Sequence, residues 1–132
     1  MTDSPHLTEL QLAILRVLWA RGEAGVPEVY RALWDERRLA QSTIATMISR
    51  MEKRAILTRR WEDRRYLYRP AVTEEEVRRS MVAGLTSLLF GGSSAALVSH
   101  LVESREIAPG DLDSVRAMLD SLDAEEDDDG DR

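Results

Sequence analysis

The sequence predicts a mainly α protein in which two helical stretches flank one short β hairpin. Three observations carry this. Apolar residues recur at helical spacing through residues 8–54 and again through 73–122. Between them, residues 56–70 change to a bulky, strand-favouring pattern. Each helical stretch also opens on a Thr-x-x-Gln or Thr-x-x-Glu capping signature.

The first helix starts at Thr8, where Thr8-Glu9-Leu10-Gln11 forms a capping box and Leu7 is placed to staple onto Leu12. Leu10, Ile14, Val17 and Leu18 give it a buried stripe that runs down to Gly22. Gly25-Val26-Pro27 marks a second start, because proline is tolerated in a first helical turn. Val29, Leu33 and Trp34 form the apolar face of that helix, which ends near Arg37-Arg38. The third helix covers about Gln41 to Arg54. Ile44, Met47, Ile48 and Met51 gather on one side of it; Thr43, Thr46 and Arg50 gather on another, flanked by Ser42, Ser49 and Lys53. Short polar and basic side chains on an exposed stripe are what a helix needs to hydrogen-bond base edges and phosphates without filling the DNA major groove. Ala40 offers no capping oxygen, so Ser42 is a candidate cap. A left-handed C-cap at Ala55, just after this helix, would cost roughly 1 kcal/mol relative to glycine.

Leu57 to Trp61 and Tyr66 to Arg69 read as two strands joined by Glu62-Asp63-Arg64-Arg65, with Pro70 closing the second. The hairpin is a basic wing through Arg59, Arg60, Arg64 and Arg65. Beyond it, Thr73-Glu74-Glu75-Glu76 caps a helix that Val77, Met81, Leu85, Leu88 and Leu89 continue to Phe90. Gly91-Gly92 interrupts it and Ser93-Ser94 caps a short segment containing Leu97 and Leu101. Pro109-Gly110-Asp111 precedes a last helix bearing Leu112, Val115, Met118, Leu119 and Leu122. Such apolar helices in so short a stretch bury only a modest fraction of their surface alone, which points to a partner copy. The expected divisions are residues 1–70 for the wing-bearing domain, 71–122 for a dimerisation region and 123–132 for a disordered acidic tail.

The chain has 132 residues, enough for one ordinary domain with an appendage. Its net charge of −6 hides an asymmetry. Residues 1–70 carry 13 Lys/Arg against 9 Asp/Glu, and residues 71–132 carry 5 against 15. An acidic total therefore leaves room for a nucleic-acid-binding face. With no cysteine, disulfides, thiolate metal sites and cysteine nucleophiles are excluded. Met1 to His6 shows no secretory signal, and no run approaches the ~20 apolar residues of a membrane span, so a soluble cytoplasmic protein is expected. His6 and His100 are the only histidines and lack companions for a metal site. No nucleophile elbow, P-loop or dinucleotide fingerprint is present; neither an enzyme nor a cofactor is expected. Trp19 and Trp34 read as packing anchors and Trp61 as partly exposed on the wing.

Four stretches together resemble the BlaI/MecI/CopY family of bacterial winged-helix repressors. They are Leu7-Thr8-Glu9 with Leu18-Trp19; Ser42-Thr43-Ile44-Ala45-Thr46-Met47 with Arg50-Met51; Arg65 to Pro70; and Phe90-Gly91-Gly92-Ser93 with Ala96-Leu97-Val98 and His100-Leu101. The resemblance covers about Leu7 to Leu122 and implies a winged helix-turn-helix followed by a helical dimerisation region. It also implies a homodimer that binds a palindromic operator in double-stranded DNA and blocks transcription. Ser42, Thr43, Thr46 and Arg50 match the positions that face the groove, and Arg64 and Arg65 match the wing; Lys53, Arg59 and Arg60 complete the basic candidates. Met81, Leu85, Leu88, Leu89, Leu97, Leu101, Val115, Met118, Leu119 and Leu122 are the candidates for the dimer interface. Antibiotic-sensing members pair with a membrane metalloprotease receptor and are cleaved at an Asn-Phe bond where this chain has His100-Leu101. Copper-sensing members use paired cysteines, which are absent here. A winged-helix protein-interaction module and a regulator that binds a small effector between its C-terminal helices stay open as alternatives.

Overall fold

Helix α1 (Glu9–Arg21) begins on the capping box read from sequence: the Gln11 N–H donates to Thr8 Oγ1 at 3.2 Å and the Thr8 N–H donates to Gln11 Oε1 at 2.9 Å. The structure, a computed structural model, describes residues 7–130, with side chains described through residue 125. The order continues α2 (Val26–Arg37), α3 (Gln41–Lys53), β1 (Leu57–Glu62), β2 (Arg65–Pro70), α4 (Glu74–Phe90), α5 (Ser94–Glu103) and α6 (Pro109–Gly130). This is a mainly α fold with one antiparallel hairpin, the class read from the sequence. The described residues divide into two compact units, one ending at Gly84 and the other beginning at Leu85.

The core of the first unit is fully buried at Ile14, Leu15, Leu18, Val29, Ile44, Ile48, Met51 and Leu57. The buried stripe of α1 is centred on Ile14, Leu15 and Leu18, while Leu10 and Val17 are only partly buried at its edge. Trp19 is an anchor as expected: its indole N–H donates to the Val72 carbonyl at 2.9 Å, holding the segment after the hairpin against α1. Trp34 is not. It is 39% exposed, tilted against Tyr30, with the Arg38 guanidinium 5.3 Å from its ring. Val29 and Leu33 supply the buried contact of this short helix, and Trp34, one step round from Leu33, turns outward.

Helix α3 ends in a Schellman motif. The Ala55 N–H donates to the Glu52 carbonyl and the Ile56 N–H to the Met51 carbonyl, both at 2.9 Å, with Ala55 itself taking the left-handed conformation at φ 61°. Buried Met51 and Ile56 supply the hydrophobic half of the motif. At the other end Ala40 is the N-cap without a side-chain bond, and the Thr43 N–H donates to the Ala40 carbonyl. Ser42 therefore lies one residue inside the helix, exposed, and does not replace the missing cap.

The hairpin is tighter than expected. Its strands pair from Leu57 with Pro70 to Glu62 with Arg65, leaving a two-residue turn of Asp63 and Arg64, both at positive φ. The right-handed strand twist favours such a turn, so Glu62 and Arg65 join the ladder instead of the loop. A third backbone segment joins them: Ala24, between α1 and α2, exchanges two hydrogen bonds with Tyr68, at 3.0 and 2.8 Å.

In the second unit α4 ends at Gly91 and Gly92, both at positive φ, and the Ser93 hydroxyl oxygen accepts from the Ala96 N–H to start α5. Leu88 is 82% exposed, and Leu85, Leu89, Val115, Met118, Leu119 and Leu122 are also exposed, while Leu97 and Leu101 are half-buried. Met81, by contrast, packs against the core of the first unit. Helix α6 continues to Gly130 through residues that the sequence reading placed in a disordered tail. Ala124 and the neighbouring glutamates are good helix formers, and no breaker intervenes before Gly130. Met1 to His6, read above for a signal and a histidine, and the last two residues lie outside the described residues. No single helix among the described residues is long and apolar enough to cross a membrane.

Candidate nucleic-acid interface

Helix α3 is the centre of the site because its two faces are so different. Ile44, Ile48 and Met51 are buried, and Met47 is tied to α1 by Gln11, whose side-chain amide lies 3.2 Å from the Met47 sulfur. The same Gln11 caps α1, so one buried side chain sets the start of the first helix and the seat of the third. Opposite the core, Ser42, Thr43, Thr46 and Arg50 are exposed in one stripe, continued by Lys53 at the C-terminus.

The wing presents a different picture for its arginines. Arg60 donates from Nε and Nη2 to the two oxygens of Glu23 at 2.6 and 2.7 Å, and its Nη2 lies 2.8 Å from Glu62. Arg65 donates to Glu28, and Arg59 lies 2.9 Å from Glu52 on α3 while its guanidinium sits 4.0 Å over the Tyr66 ring. Tyr66 also meets Trp61 edge-on at 4.8 Å, and Trp61 is 61% exposed, as expected for a wing tryptophan. Arg64, at the turn, is exposed. The candidates thus separate into an outward group on α3 and at the wing tip, and a group bound to glutamates.

The electrostatics follow from these contacts. The hydrogen bond from Arg60, with its charge and that of Arg69, holds the Glu23 carboxyl below its ordinary value against slight desolvation. Burial would raise Glu28, but the Gly25 N–H, the Arg65 guanidinium and the Arg31 charge outweigh it and hold the carboxyl low. Hydrogen bonding to Glu23 and Glu62 raises Arg60. Glu23, Glu28, Glu52 and Gln11 are site residues that the sequence reading missed. Gln11 and Glu28 had a local signal, Gln11 as the fourth residue of the Thr8 capping box and Glu28 three residues after the helix-starting Gly25, whose N–H donates to its side chain at 2.8 Å. Among the described residues no group of acidic, histidine or cysteine side chains could hold a metal.

A three-helix unit whose third helix turns a polar and basic stripe outward beside a two-stranded ribbon defines a winged helix-turn-helix DNA-binding protein. The chain matches the penicillinase repressor family over residues 7–121 and belongs to that family; it is a DNA-binding transcriptional repressor. It is 31% identical over 126 residues to the transcriptional regulator BlaI of Mycobacterium tuberculosis, covering 94% of this chain and 90% of that one. It is also similar to the penicillinase repressor of Staphylococcus aureus, at 19% identity over 83% of this chain and 86% of that one. Among solved structures it is similar to the DNA-binding domain of the repressor BlaI, with a TM-score of 0.51 at 26% identity over 58% of this chain and 93% of that domain. A second likeness is to Bacillus licheniformis BlaI, in monomeric form in complex with the blaP half-operator, with a TM-score of 0.50, the same identity and the same coverage.

Proposed function

We propose that this repressor works as a homodimer in the cytoplasm, laying α3 of each copy in successive major grooves of a palindromic operator and steadying it with the wing. The observation that carries this reading is the outward stripe of Ser42, Thr43, Thr46 and Arg50 on a helix whose other face is buried. Threonine and serine hydroxyls donate to or accept from base edges, and Arg50 is placed to grip guanine in the bidentate way that discriminates bases. Lys53 and Arg64 supply phosphate contacts that position the helix. A half-operator bound by monomeric BlaI supports one copy of this fold per half-site.

Dimerisation is supported by the second unit. Leu88, Leu89, Met118, Leu119 and Leu122 are each more than half exposed, and a second copy is the occupant that would cover them and also double the DNA contacts. A membrane metalloprotease partner rests on the family resemblance. His100 and Leu101 lie within α5, so cleavage there requires that helix to unwind locally into an extended strand.

Footprinting the DNA upstream of the chain's own coding sequence tests the proposal. Two protected patches one helical turn or a whole number of turns apart, with binding that weakens steeply as salt rises, are the expected result. Absence of protection at low salt would overturn it.

A further inference from the structure

Resting on that reading, we infer that Glu23 and Glu28 are positioning residues that clamp the wing through Arg60 and Arg65, so that these two arginines set the wing's angle and the wing tip and α3 meet the phosphates.

The clamp has three fastenings on the segment between α1 and the first turn of α2. At its centre Ala24 and Tyr68 exchange two backbone hydrogen bonds. To one side the Glu23 carboxylate takes a bidentate grip from Arg60, and to the other Glu28 holds Arg65 while also capping α2 through the Gly25 N–H. Gly25 lacks a side chain where one is excluded: a Cβ there would meet Glu28 at 2.8 Å, Arg65 at 3.0 Å and the Tyr66 carbonyl oxygen at 3.3 Å.

Isolated surface ion pairs contribute little, and bidentate or networked pairs are the exception. Arg60 is both, since it binds two carboxylates at once. A phosphate drawn to Arg60 would have to displace Glu23 or sit beside Glu23 and Glu62, so the approach of DNA gains nothing from this guanidinium. Fixing the ribbon to α2 instead keeps Arg64 at a set distance from the stripe on α3, which is how Arg60 and Arg65 raise affinity without touching the duplex themselves.

The two roles differ in salt dependence. A phosphate contact adds about 0.9 to the slope of log K against log salt, and a positioning residue adds nothing. The full-length protein is titrated by mobility shift, across a salt series, with a duplex covering the DNA upstream of its coding sequence. Arg64→Gln should lower the slope by about one. Arg60→Gln should weaken binding about tenfold with the slope unchanged, and Glu23→Gln should also weaken it. The exchange Glu23→Arg with Arg60→Glu, made in a Glu62→Gln background so that the new carboxylate faces no like charge, should recover binding to within about threefold of Glu62→Gln alone. Arg65→Gln, read for slope in the same way, provides a second test should an Arg60 variant fold poorly. A lower slope for Arg60→Gln, tighter binding by Glu23→Gln, or no recovery in the exchanged pair would overturn the clamp. Failure of the unaltered protein to shift the duplex would instead overturn the operator reading.

Discussion

The Gly25 N–H donates to the same Glu28 carboxyl oxygen that a methyl group on Gly25 would meet at 2.8 Å. Gly25→Ala therefore forces Glu28 away from the α2 N-terminus and from Arg65 together. Loss of the cap and the added crowding should lower stability by about 1 to 2 kcal/mol in chemical denaturation. Combining it with Glu28→Ala should cost less than the sum of the two, because both changes remove the same contacts.

Ala55 pays a conformational penalty at φ 61° to close the Schellman turn after α3. Ala55→Gly relieves that strain but loosens the unfolded chain, and the relief should dominate, raising stability by up to about 1 kcal/mol. A lower melting temperature for the glycine variant would contradict the left-handed assignment.

Arg50→Ala should weaken operator binding by about 1 to 3 kcal/mol and relax preference at one base position per half-site. Quantitative footprinting over single-base operator variants reads both effects. Equal weakening on every sequence would make Arg50 a phosphate contact.

The exposed leucines on α4 and α6 should prove essential to assembly. Leu85→Asp with Leu119→Asp should yield a monomer in sedimentation and a sharp loss of cooperative operator binding. An intact dimer would place the interface elsewhere.

Acid should loosen the Glu28 contact. The carboxyl sits below its ordinary value of 4.5 in the folded protein, so its contribution is fully present above that value and is lost as pH falls through the lower folded value. The stability difference between the parent and Glu28→Gln should stay constant above about pH 5.5 and shrink below about 4.5 in urea denaturation series.

The helices were legible because their signals are local. Thr8 with Gln11 and Thr73 with Glu76 announced two starts, Gly91-Gly92 announced a stop, and the threonine and arginine stripe of α3 announced its outward face. The hairpin was legible as a hairpin but not in its turn, because Asp63-Arg64 lacks the glycine or asparagine that usually marks two positive φ angles in succession. The partners of the wing arginines were not legible. Glu23 and Arg60 meet across 37 residues, as do Glu28 and Arg65, and no periodicity links them. Arginines in a basic stretch read alike until the carboxylates facing them are known.

The rung shared by Ala24 and Tyr68 also makes the ribbon depend on two segments far apart in the chain. A lone two-stranded ribbon is at best marginally stable in water, and this one is completed by a residue made long before the second strand exists. A chain cut before Tyr68 lacks the partner of this rung, so its ribbon cannot be completed. Joining residues so far apart in the sequence carries a loop-closure cost that the local helices do not, so this rung is expected to form after them in folding.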